Sequence, residues 1–141
     1  MARRAAPCQD RRMNVTDEIW NRAAMHDGGP DARDGDLHLA AVIGTHGLIM
    51  SGGLIDAVQR VAPEQVANAE AGYRWLRLHA AADVIVMVRH AVAGGALDDD
   101  AIDTLEERVD GEYVGAIPSD QVIVDAFEAR FNDDPSTFAP T

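Results

Sequence analysis

The chain is 141 residues long, carries a formal net charge of −12, and is 47% hydrophobic but only 5% aromatic. A domain of this size buries roughly two thirds of its unfolded surface, so a real core is expected, built from Ala, Val, Leu and Ile. No stretch approaches the roughly 20 uninterrupted apolar residues of a membrane span, because Asp83, Arg89 and His90 break the longest runs. A membrane protein is excluded on that ground. Cys8 is the only cysteine, which rules out an intramolecular disulfide and a cysteine-based zinc cluster and makes a reducing cytoplasm the expected compartment.

Charge is the most informative property. Acids number 24 against 12 bases, and every base is arginine. Residues 94–141 hold 13 acids against Arg108 and Arg130, a local net of −11. Such a field repels nucleic acid and anionic membrane and attracts basic protein surfaces, so no direct nucleic-acid binding and no membrane binding are expected. The absence of lysine, with 17 Asp against 7 Glu, is also what a GC-rich genome or a salt-adapted proteome imposes on any protein. The acidity therefore has a functional and a bland reading.

Residues 1–15 contain Arg3, Arg4, Arg11 and Arg12 with no apolar run behind them, so they are expected to be a disordered leader rather than a secretion signal. Met13 offers an alternative start. Residues 16–141 are expected to form one helical domain. Thr16 is a candidate N-cap, with Asp17 and Glu18 in the first turn where carboxylates favour the positive helix end, and the helix runs through Ile19, Trp20 and Ala23 to Gly28-Gly29-Pro30. Leu37 to Met50 is apolar on most sides and too long for a strand, which predicts a largely buried helix.

Ser51-Gly52-Gly53 breaks that helix, and Leu54, Ile55, Val58 and Val61 mark a short amphipathic one. Pro63 suits the first position of the next helix, where its missing N–H has no intrahelical partner, and Val66, Ala69, Tyr73 and Leu76 give that helix its face. Residues 79–93 are apolar nearly all round except for His79, Asp83 and His90, the pattern of a central bundle helix. After Gly94-Gly95, Asp98, Asp99 and Asp100 open a helix whose stripe is Ile102, Leu105, Val109 and Tyr113. Pro118 and Ser119 start the last one, with Ile123, Phe127 and Phe131 as its stripe. No segment alternates strictly, so the fold class is all-α, a compact bundle of five to seven helices.

The histidines are the first place to look for chemistry. His79, Asp83 and His90 share one helical stripe, but eleven residues separate His79 from His90 by roughly 16 Å of rise. Only His79 and Asp83 could meet one ion, which is short of a zinc site, and neither metal nor cofactor is expected. His38 and His46 stand about 80° and 12 Å apart on a helix and are not a pair. His46 could act as a general base, but no nucleophile of defined geometry accompanies it; a histidine that bonds a neighbouring turn is the plainer reading. Gly52-Gly53 has no lysine and no preceding strand, so a phosphate loop is not indicated.

The acidic helix is the best remaining feature. With Ile102 at the centre of the buried face, Asp99, Asp103, Glu106, Glu107 and Asp110 fall about 40° to 140° around the axis as one stripe. Asp99, Asp103 and Glu107 repeat every four residues and rise by about 6 Å per step, a regular row of negative charge such as a DNA backbone also presents. The plainer reading is a solvated helix face whose like charges repel by tenths of a kcal/mol per pair.

Four features taken together, the Gly52-Gly53 turn before a short helix, the Tyr73 to Met87 helix pair, the Leu105 to Tyr113 helix with Asp110-x-Glu112-Tyr113, and the terminal Asn132-Asp133-Asp134-Pro135-Ser136-Thr137-Phe138, resemble small acidic helical bacterial proteins related to the C-terminal domain of a DNA-mimic protein. The resemblance spans about residues 35–138. Where that family has Asn before the glycine pair and an aromatic after it, this chain has Ser51 and Leu54. The resemblance implies an all-helical fold, a homodimer and, as for the founding member, binding to the DNA-binding surface of a transcription factor.

The leading expectation is thus a non-enzymatic acidic interaction protein, a DNA mimic or inhibitor whose partner is a basic protein such as a DNA-binding regulator or a toxin. The alternative is a small helical hydrolase or ligand-binding protein using His46, or His79 with Asp83, in an interhelical pocket.

Overall fold

The computed structural model describes residues 5–95 and 97–141, with side chains from Val15 onward. Among the described residues seven α-helices follow one another: α1 (Ala5–His26), α2 (Asp34–Gly52), α3 (Leu54–Arg60), α4 (Pro63–Trp75), α5 (His79–Ala93), α6 (Asp99–Ala116) and α7 (Asp120–Asp133), before a closing 3-10 turn (Pro135–Thr137). No strand occurs among the described residues. The fold is an all-α bundle.

The interhelical breaks fall where glycine and proline demand them. Gly53 has φ of 91°, a backbone conformation open to a residue without Cβ, and it turns α2 directly into α3. Pro63 occupies the first position of α4, and Asp98 caps α6 by accepting the Ala101 N–H at 2.7 Å. The N-terminus departs from expectation. Thr16 lies inside α1 rather than at its cap. Of the leader expected to be disordered, residues 1–4 lie outside the described residues and residues 5–15 form the opening turns of α1.

The predicted stripes supply the core: Ile19 and Ala23 from α1, Leu54 and Ile55 from α3, Val66, Ala69 and Tyr73 from α4 with Leu76 just beyond it, Val109 and Tyr113 from α6, and Ile123 and Phe127 from α7 are buried. The tryptophans and phenylalanines form one cluster. Trp20, Trp75, Phe127, Phe131 and Phe138 form a continuous set of ring contacts, with Phe127 and Phe138 edge to face at 5.3 Å and Trp75 against Phe138 at 5.8 Å, so α1, α4, α7 and the C-terminal segment are fastened together.

Residues 79–93 were expected to be the central helix. α5 does pack on α3, α4 and α6, but α2 is the other hub, touching α1, α3, α4 and the 3-10 turn. Gly72 makes the α2–α4 crossing close: a Cβ there would lie 2.7 Å from the His38 carbonyl oxygen and 2.9 Å from Val42 Cγ2. The expectation that Leu37 to Met50 is largely buried needs correction. Leu39, Val42, His46 and Ile49 are buried, but Leu37 and Met50 are 53% and 60% exposed and Gly44 and Gly47 are open. Among the described residues, one side of this apolar helix has no cover.

Candidate functional site

On α6 the acidic stripe divides. Asp99, Asp103 and Glu107 are exposed, while Glu106 and Asp110 are half-buried toward the start of α3. Asp110 Oδ1 accepts the Leu54 N–H at 3.0 Å, and both Asp110 and Glu106 crowd the position where Gly53 would carry a Cβ. Asp110 thereby satisfies one of the donors that a helix start leaves without an intrahelical partner. The ion pairs among the described residues draw on Asp36, Asp56, Glu70, Asp83, Glu112, Asp120 and Asp133. None uses Asp99, Asp103 or Glu107. Among the described side chains no arginine pairs with them.

His46 stands in a row of hydrogen bonds that the sequence did not announce. Its Nε2 is 2.7 Å from Asp120 Oδ1 and its Nδ1 is 2.7 Å from Tyr113 Oη, which is in turn 2.5 Å from Tyr73 Oη. A carboxylate only accepts, so a neutral ring donates from Nε2 to Asp120 and accepts the Tyr113 O–H at Nδ1. Tyr113 Oη then accepts from Tyr73. Every donor in the row has an acceptor. Burial pushes both phenols above their ordinary range: Tyr73 well above it, with the Tyr113 neighbour adding, and Tyr113 with Asp120 adding and the bond from Tyr73 opposing. Both ring nitrogens of His46 are thus engaged, and the row ties α2, α4, α6 and α7 together.

His79 and Asp83 lie on the exposed side of α5, where Asp83 Oδ1 pairs with Arg74 at 3.0 Å. Among the described residues no three His, Cys, Asp or Glu side chains converge on a point that could hold a metal ion, and no helix is long and apolar enough to cross a membrane. Asp36 is the one buried carboxylate among the described residues. It lies 2.8 Å from Arg22 Nη2 and accepts the N–H groups of Arg33 at 2.9 Å and Ala139 at 2.7 Å.

The open side of α2 forms, with α4, a groove of about 500 Å³ whose floor and walls include Leu37, Ala41, Gly44, Leu48, Val61 and Ala71. His38 lines it rather than His46, His79 or Asp83. The His38 ring stacks on Trp75 at 5.2 Å with 21° between planes, and Arg130 lies over the same indole at 4.8 Å from its centroid. Burial holds the His38 imidazole below its ordinary pKa, with Arg130 adding and Asp34 opposing. The side chains that are charged at neutral pH in this groove are Asp27 and Asp34.

Comparison of the chain with protein-family models, with curated proteins and with solved structures finds no match.

Proposed function

We propose that this protein is a non-enzymatic acidic interaction domain, a DNA mimic or inhibitor that presents Asp99, Asp103 and Glu107 of α6 to the basic surface of a partner such as a DNA-binding regulator or a toxin. The observation that carries the reading is the row itself: three carboxylates, one helical turn apart, exposed and outside every ion pair among the described residues. Successive members rise by about 6 Å, and their field is reinforced by the local net of −11 over residues 94–141. A groove shaped for phosphates would accept such a row, and the association would weaken steeply with salt. The resemblance to relatives of a DNA-mimic protein points the same way. Glu106 and Asp110 sit beside the row and contribute field, but Asp110 is committed to Leu54.

The test is a pull-down from native cytoplasm at low and at physiological salt, with the bound proteins identified, using the wild-type chain and the triple variant Asp99→Asn, Asp103→Asn, Glu107→Gln. A basic protein is expected to be captured by the wild type, released by salt and missed by the variant. Capture of the same protein by the triple variant would discard the α6 reading.

A further inference from the structure

The α2–α4 groove presents a mismatch between sequence and surroundings. A helix that is apolar on most sides belongs largely in an interior, where those sides are covered, and α2 reads that way from Leu37 to Met50. Within the bundle it is covered by α1, α3, α4 and the C-terminal turn. The remaining side, Leu37, Ala41, Gly44 and Leu48, is the floor of the groove. From Leu37 to Leu48 the floor runs about 16 Å, three turns of helix. A Cβ built on Gly44 meets nothing within 4 Å, so another backbone can come close at mid-groove.

Charge selects the occupant. Asp27 and Asp34 are the side chains charged at neutral pH in the lining, Gln65 and Asn68 supply neutral amides on the α4 wall, and His38 is held toward its neutral form. Arg33, the nearest arginine in sequence, is tied to the Ser136 carbonyl oxygen at 3.0 Å. An apolar floor with carboxylates at one end fits a helix that is apolar on one face and carries Lys or Arg beyond it, the helix-in-groove mode of recognition. A second copy of this chain fits poorly, since it would bring a second −12 charge to the same surface.

We propose that the α2–α4 groove is a docking site for a basic amphipathic helix of another protein, its apolar face on Leu37, Ala41, Gly44 and Leu48 and its cations at Asp27 and Asp34. This goes beyond the α6 reading: the two surfaces share no residue, and the sign of the occupant's charge follows from Asp27 and Asp34.

The test uses the full chain and a fluorescein-labelled synthetic peptide about three turns long, with Leu and Ala on one helical face and Arg on the other, titrated by fluorescence anisotropy. Controls are the same residues in scrambled order and a version with Glu in place of Arg. The amphipathic basic peptide is expected to bind, and both controls to bind about tenfold more weakly or worse. Leu37→Glu and Gly44→Leu, at positions that are exposed and unencumbered, are each expected to weaken binding about tenfold. Asp27→Asn is expected to reduce its salt dependence; the Asp27 backbone has φ of 52°, which Asn adopts readily.

The Asp99, Asp103 and Glu107 triple variant is expected to bind the peptide as the wild type does. Circular dichroism of each variant, with its melting curve, verifies that the fold is kept. Equal binding of the scrambled peptide, or unchanged binding by Gly44→Leu, overturns the groove proposal and leaves the α6 reading standing. Loss of peptide binding in the α6 variant alone also overturns the groove. A wild-type dimer in sedimentation velocity that Gly44→Leu dissociates would assign the groove to a second copy and overturn it as well.

Discussion

The Asp36 carboxylate, wholly withdrawn from solvent, lies 2.8 Å from the Arg22 guanidinium. The same carboxylate holds the backbone N–H of Ala139, and Arg22 reaches the carbonyl oxygens of Ala139 at 3.0 Å and Pro140 at 3.3 Å. A residue at the start of α2 therefore joins α1 to the C-terminal segment. Removing one partner of such a buried pair strands the other charge, at a cost of about 3–5 kcal/mol. Asp36→Ala is expected to lose that much stability in urea denaturation. Because Arg22→Met removes the charge that Asp36→Ala strands, the double variant should lose less than the sum of the two single losses.

The direction of the row from Tyr73 to Asp120 ranks its two tyrosines. Tyr113 both accepts from Tyr73 and donates to His46, so Tyr113→Phe leaves a buried donor and a buried acceptor without partners, worth about 1–3 kcal/mol for each group. Tyr73→Phe removes only a donor, and Tyr113 keeps its bond to His46. Thermal denaturation should show Tyr113→Phe as clearly the more damaging change, and equal losses would overturn the central place of Tyr113 in the row.

Alkali offers a check on the same pair. The chain has two tyrosines, both buried and both with pKa values raised by burial. Raised folded values mean that the native state keeps protons that the unfolded chain gives up near pH 10. The stabilisation is complete below about pH 10 and is lost as pH rises from there toward the folded values. An ultraviolet titration should show no phenolate signal from the native protein until unfolding releases both rings together. A normal titration of one tyrosine near pH 10 would contradict its burial.

Two glycines predict opposite effects. At Gly72 an added methyl would meet the His38 carbonyl oxygen at 2.7 Å and Val42 at 2.9 Å, so Gly72→Ala should force α2 and α4 apart and destabilise by about 1–3 kcal/mol. Gly111 is inside α6 with nothing within 4 Å of the same point. Gly111→Ala should stabilise by about 0.5–1 kcal/mol, the helix propensity difference. Melting temperatures of the two variants decide both.

What was legible in the sequence was what local chemistry writes down. Gly28-Gly29-Pro30, Gly52-Gly53, Pro63, Gly94-Gly95 and Asp98 punctuate the helices, and the stripe Val66, Ala69, Tyr73, Leu76 is buried throughout. The early start of α1 was not legible, because Thr16-Asp17-Glu18 reads as a cap and the preceding arginines read as tail. Ala5, Ala6, Arg11, Arg12 and Met13 are nevertheless good helix formers, and Pro7 falls in the first turn, where it is tolerated. The partners of His46 stand 67 and 74 residues away, and that of Asp36 on the C-terminal segment 103 away. Periodicity reports which way a residue faces along its own helix and is silent on what meets it. The same limit made the open side of α2 look buried and let Asp110 look like a free surface charge.

The link after α5 has a practical side. Gly94 and Gly95 are exposed, and a side chain at Gly95 would touch nothing within 4 Å. The ties described above between earlier and later helices, Leu54 to Asp110, His46 and Tyr73 to Tyr113, Asp36 to Ala139 and Trp75 to Arg130, all span that link without using it. Severing the backbone there would leave two polypeptides with matched, mutually incomplete interiors, and each would serve as the template on which the other reassembles, a natural seam for a split reporter.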